Sequence, residues 1–190
     1  PHKENIKPVQ CTSCHQDAPV KHAFHSVQLT LARQKGTLQT ACKQCHGTHE
    51  VMRLDNPASP FHAKNLTQTC AKCHPDVATT FAASDHGKSL ARGDVGAPTC
   101  IACHTQDVTG HQGKLSKAET KQVQEQLCLQ CHADDDDVRK RMGPTAAFIK
   151  AYEHSVHGKA LRGGNGDAAN CVDCHGSHEM KRAFDPDSQV

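Results

Sequence analysis

The sequence predicts a chain that is mostly coil with short α-helices, has almost no sheet, and is wrapped around a centre that its own side chains do not supply. Three observations lead there. The 190 residues hold no Trp, one Tyr and five Phe, and only 36% of them are apolar. A domain of this length ordinarily buries a sizeable apolar core, and this one has little to bury. It nevertheless holds 12 Cys and 16 His, which sets it apart from a polar disordered chain. Between short apolar stretches Gly, Pro, Asn and polar residues dominate, so short helices are expected and alternating strands are not.

The cysteines supply the centre. They fall in six pairs, each reading C-x-x-C-H: Cys11-Cys14-His15, Cys42-Cys45-His46, Cys70-Cys73-His74, Cys100-Cys103-His104, Cys128-Cys131-His132 and Cys171-Cys174-His175. This is the attachment signature of c-type heme. Two thiols add to the two vinyl groups of one porphyrin edge, and the following His binds the iron from the proximal side. A zinc site needs pairs of pairs and gives no reason for a His after every one; a disulfide framework requires no fixed spacing. The fold class is therefore that of a multiheme cytochrome c, with short helices around a stacked chain of six heme c groups. At roughly 32 residues per heme there is no room for a separate core.

Ten His remain for the distal side: His2, His22, His25, His49, His62, His86, His111, His154, His157 and His178. The alternative ligands Met52, Met142 and Met180 are too few for six irons. Two His on each iron is the expected ligation, with low potentials as its consequence.

Internal repeats choose among the ten. Residues 24–51, 85–104 and 156–180 resemble one another; each opens with a His, continues through a short basic segment, and ends in a C-x-x-C-H. The motifs thus alternate between a type that follows the long repeat (Cys42, Cys100, Cys171) and a type between repeats (Cys11, Cys70, Cys128). The spacing from the first type to the second is 28 residues in both instances. About three two-heme repeats make up one domain over residues 1–190, bounded near 1–78, 79–135 and 136–190. On this reading His25, His86 and His157 each cap the heme of their own repeat, at Cys42, Cys100 and Cys171. The C-H-G-x-H extensions add His49, expected to cap the heme at Cys70, and His178. The corresponding residue of the middle repeat is Asp107, so His111 is expected to cap the heme at Cys128. His22, His154 and His62 are expected at the surface or against propionates.

The heme at Cys11 is then left without a repeat before it, and His178 without a motif after it. Joined tail to head, Cys171 of one copy and Cys11 of the next would lie 30 residues apart, close to the intact spacing. Head-to-tail stacking is therefore expected, with His178 capping the Cys11 heme of the neighbouring subunit. The alternative is a single copy in which His22 or His2 caps it. A heterologous contact that does not close into a ring gives filaments.

Three local elements can be read directly. Ser116 with Glu119 three residues on marks a helix start for residues 115–127. Phe148, Tyr152 and Val156 have helical spacing within 145–161. The ADDDDVRKRMGPT stretch at 133–145 is expected as a solvated loop.

The C-x-x-C-H-G-x-H extension and the S-x-H-G-K-A-L segment resemble the multiheme cytochrome c family. That family includes small tetraheme cytochromes and the extracellular cytochrome filaments of metal-reducing bacteria and archaea. The resemblance implies stacked hemes with two His on each iron and one axial His crossing between subunits. It also implies redox partner proteins or extracellular acceptors such as metal oxides.

Heme of this type is joined outside the cytoplasm, so an exported protein with its leader removed is expected, extracellular as a filament or otherwise periplasmic. No run of 18 apolar residues could span a membrane. The formal charge is +2, but twelve propionates would bring the loaded chain to about −4 oxidised and about −10 reduced. There is no basic run or aromatic platform for nucleic acid. Six intact motifs and a surplus of His favour a pure electron carrier over an oxidoreductase with an open heme; a soluble shuttle is the alternative within electron transfer.

Overall fold

The computed structural model describes residues 10–18, 22–110 and 113–190. His2 and His111 lie outside the described residues. Among the described residues there is no strand, and 58% are helical, in agreement with the short-helix, sheet-free class. The helices are α1 (Ser26–Gln34), α2 (Leu38–His46), α3 (Ala63–Ala71), α4 (Pro75–Ala83), α5 (Asp85–Arg92), α6 (Cys100–Cys103), α7 (Lys117–His132), α8 (Asp136–Met142), α9 (Ala146–His154), α10 (Val156–Arg162) and α11 (Cys171–His175). No described helix is long and apolar enough to cross a membrane.

Local chemistry sets the ends. The Ser116 hydroxyl accepts from the Glu119 amide while the Glu119 carboxylate accepts from the Ser116 amide, a capping box that starts α7 as expected. The acidic run corrects an expectation: only its start is loop. Asp135 caps α8 by accepting from the amides of Asp137 and Val138. Asp136 and Asp137 sit in the first turn and Arg139, Lys140 and Arg141 in the last, the charge order that the helix dipole favours. The helical stretch at 145–161 is also corrected. It breaks at Ser155, and Phe148 and Val156 are exposed.

That break is a repeated corner. Ser84 between α4 and α5 accepts from the Gly87 amide and donates to the Phe81 carbonyl at 2.6 Å. Ser155 between α9 and α10 accepts from the Gly158 amide and donates to the Tyr152 carbonyl at 2.7 Å. A Cβ at Gly87 would collide with the Phe81 carbonyl, and one at Gly158 with the Tyr152 carbonyl. The S-x-H-G segment of the sequence is therefore the chemistry of a tight helix–helix corner.

Apolar packing is sparse. Leu66, Leu161 and Ala168 are the buried apolar side chains among the described residues. Polar docking holds α7 against the last motif instead. Gln122 donates to the Leu161 carbonyl at 2.8 Å, Lys121 to the Ala168 carbonyl at 2.9 Å, and Asn170 to Gln124 Oε1 at 2.7 Å. Tyr152 donates to the Ala169 carbonyl at 2.9 Å. The buried Glu125 pairs with Arg162 at 3.2 Å. Further on, the tail returns to the start of α5: the Asp85 amide donates to the Met180 carbonyl at 2.9 Å, and the Asp85 carboxylate accepts from the Arg182 amide at 2.7 Å.

Candidate functional site

Each C-x-x-C-H lies in or beside a helical turn. The motifs at Cys42 and Cys128 end α2 and α7, those at Cys100 and Cys171 form α6 and α11, and Cys11–Ser13 is a 3-10 turn. Cys70 lies in α3 and is followed by His74, which precedes Pro75 at the first position of α4. Residues three apart share one face of a helical turn. The spacing therefore sets both thiols of a motif along one edge, with the His turned to one side of it.

Four of the motif histidines face a second imidazole. His22 faces His46, with Nε2 to Nε2 at 3.3 Å and ring centres 5.6 Å apart. His25 faces His74 at 6.4 Å with the rings 9° from parallel. His178 faces His104 at 6.1 Å and 11°. His86 faces His132 at 5.8 Å and 39°. Metal–nitrogen bonds of about 2.0 Å on each side of an iron put two axial ring nitrogens about 4 Å apart and the ring centres about 6 Å apart. The ring-centre separations of the four pairs, 5.6 to 6.4 Å, are close to that spacing, while the His22–His46 nitrogens at 3.3 Å are nearer than iron between them would set them. Among the described residues no group of three or more His, Cys, Asp or Glu could hold a metal ion.

Two of these pairs also fix their ring tautomers. The His22 Nδ1–H donates to the Ala18 carbonyl at 2.8 Å, and the His132 Nδ1–H to the Met142 sulfur at 2.9 Å. Each acceptor takes only a donated hydrogen, so Nε2 is left unprotonated for a metal.

The pairing differs from the one read off the repeats. His25 faces the motif at Cys70, not the one at Cys42; His86 faces the motif at Cys128, not the one at Cys100. His22, expected at the surface, takes the place facing His46. The expected partner of His49, His74, is faced by His25, and His49 lies in an exposed turn after α2. His178 faces His104 of its own chain, where it was expected to reach a neighbour. The cause is the tail contact on Asp85, which carries residues 178–182 back to α5. Gly176, at φ 72°, makes the turn after the last motif. His62 accepts from the Lys64 amide as the cap of α3. His154 and His157 are exposed on either side of the Ser155 corner. Among the described residues, His15 and His175 face no other imidazole.

Five of the facing rings are biased toward the neutral form. Burial is the largest cause lowering the pKa of His25, His46, His86, His104 and His132. A facing imidazole adds to it for four of them: His74 for His25, His22 for His46, His178 for His104 and His86 for His132. For His86 the neighbouring Asp85 works the other way. A neutral imidazole is the form that binds a metal.

The thiols of successive motifs act on one another. In the unmodified chain the first cysteines perturb each other in pairs, Cys11 with Cys42, Cys70 with Cys100, and Cys128 with Cys171, and the Cys11 thiol donates to Gln39 Oε1 at 3.3 Å. Within one such pair the Cys70 thiol is pushed up and Cys100 is pulled down to about 7. Second cysteines act across the next interval: Cys73 raises Cys45, and Cys131 raises Cys103.

No curated protein and no solved structure matches the chain. Residues 84–137, a stretch that runs from the Ser84 corner through His86, His104 and His132, match the model of the doubled CXXCH motif family, and that doubled motif indicates covalently bound heme c.

Proposed function

We propose that the chain carries six heme c groups, each held by two imidazoles, and serves long-range electron transfer as the subunit of an extracellular filament. The observation that carries the reading is the set of four facing imidazole pairs, each made of a motif His and a second His at axial separation. Bound iron porphyrin supplies one-electron exchange with little rearrangement. The residues of the chain do the rest. The thiols fix each porphyrin edge, and at four of the six motifs a facing ring closes the second axial position, which favours a carrier over an enzyme. The thiols of successive motifs act on one another, Cys11 with Cys42, Cys70 with Cys100, and Cys128 with Cys171, which supports a chain of sites in sequence order. The last two of these pairs straddle the boundaries at 78/79 and 135/136. The two motifs without a facing imidazole among the described residues, at Cys11 and Cys171, are the first and last in the sequence. This arrangement favours identical subunits joined head to tail, with redox proteins or extracellular acceptors such as metal oxides receiving the electrons.

Two measurements on the exported, heme-loaded protein test this. Intact-mass spectrometry should show six heme additions, and electron microscopy should show filaments with a regular repeat. Fewer than six additions, or uniform small particles at high concentration, would contradict it.

A further inference from the structure

The four facing pairs differ in the angle between their rings. His25 and His74 lie 9° from parallel, His104 and His178 11°, and His86 and His132 39°. His22 and His46 are crossed at 77°.

Both rings of the crossed pair are held from outside it. The His22 amide and its Nδ1–H both donate to the Ala18 carbonyl, at 3.0 and 2.8 Å, which fixes the plane of that ring. His46, the last residue of α2, turns an edge to His22 and a face to Phe61. The Phe61 ring stacks on that face with centres 4.4 Å apart and planes 21° from parallel, a contact that holds one ring plane against another.

Phe61 is itself set by a loop pinned to α3. Ser59 is fully buried. Its amide donates to the Asn56 carbonyl at 2.8 Å, and its hydroxyl accepts from the Phe61 amide at 3.2 Å. From α3 the Asn65 side chain donates to the Ser59 carbonyl at 2.9 Å, and the Thr69 hydroxyl donates to the Pro60 carbonyl at 2.6 Å. These bonds fall on the two residues just before Phe61 and leave its ring little freedom to move away from His46.

The angle has an electronic consequence at an iron between the rings. Each imidazole raises the iron π orbital that lies perpendicular to its plane. Parallel rings raise the same orbital and split the pair; crossed rings raise both and leave them close in energy. The ferric state gains less from a close pair, so crossed rings favour the reduced iron, a lever on potential that acts through ligand orientation.

We propose that Phe61 is a positioning residue for the motif at Cys42. With Ala18 on the opposite ring it keeps the two axial imidazoles crossed, which raises the potential of that heme above the value it has when His46 is free to turn. This rests on the reading that His22 and His46 ligate one iron.

The experiment compares heme-loaded wild-type protein with H22A, F61A, F61L and F61Y by low-temperature electron paramagnetic resonance and redox titration. The wild-type spectrum is expected to contain a strongly anisotropic low-spin signal of one heme, which H22A removes as a high-spin signal appears. F61A and F61L are expected to move that signal toward the rhombic class and to lower one potential in six, with every heme still low-spin. F61Y, which keeps a stacked ring, is expected to retain both the signal and the potential; F61L, which keeps bulk without the ring, separates stacking from packing. An unchanged signal and unchanged potentials in F61A and F61L overturn the role of Phe61. High-spin heme in H22A without loss of an anisotropic signal overturns the crossed arrangement and leaves the ligation standing. H22A with six low-spin hemes overturns both.

Discussion

At the scale of single residues, the imidazole pairs turn on which nitrogen carries hydrogen. His22 donates Nδ1–H to the Ala18 carbonyl and presents Nε2 to His46 Nε2. Removing it as H22A should leave the heme at Cys42 with one protein ligand, so that one heme in six becomes high-spin, measured by electron paramagnetic resonance. A pH dependence follows from the same rings. Five histidines have folded pKa values lowered below the ordinary 6.5, chiefly by burial. A lowered histidine is neutral in the fold while the unfolded chain is protonated, so stability rises with pH through the window from the lowered values up to 6.5 and is lost as pH falls through it. Denaturant midpoints of the loaded protein should therefore be lower at pH 5.5 than at pH 7.5, since iron ligation also needs the neutral ring. Equal midpoints would show that these rings do not titrate with folding.

At the scale of elements, the Ser–Gly corners decide where the histidines point. Each corner ends one helix and starts the next within a single residue, so His154 and His157 leave on different helices, as Ala83 and His86 do. G87A should lower unfolding stability by about 1–3 kcal/mol through overpacking against the Phe81 carbonyl, measured by denaturant unfolding, and G158A should act in the same direction. Much of the element pattern was legible beforehand: the short helices, the Ser116 capping box and the absence of strands among the described residues all follow from residue type and spacing. The pairing of the imidazole rings was not. Spacing says how far a His lies from a motif along the chain, while the corner decides on which side of that motif it emerges. The S-x-H-G signature was visible, but its meaning as a helix–helix corner lies in a backbone approach that spacing does not encode. The ADDDD run misled for a related reason, because its negative charge counted as solvation although Asp135 stood in a capping position ahead of a basic last turn.

At the scale of the whole molecule, a chain with three buried apolar side chains among its described residues keeps its shape through polar docking and through the groups it holds. The returning tail is part of that docking and was invisible in sequence, since Asp85 and Arg182 lie 97 residues apart. D85A should remove the carboxylate's bond to the Arg182 amide, leave the backbone bond to Met180, and so weaken the position of His178 opposite His104. The expected result is partial conversion of one heme in six to high-spin, growing with temperature, by variable-temperature magnetic circular dichroism. The most direct test of this account is a crystal structure or cryo-electron microscopy map of the heme-loaded protein that resolves both axial ligands. The account predicts His22 across from His46, His25 from His74, His178 from His104 and His86 from His132. A map with His25 across from His46 and His86 across from His104 would contradict it.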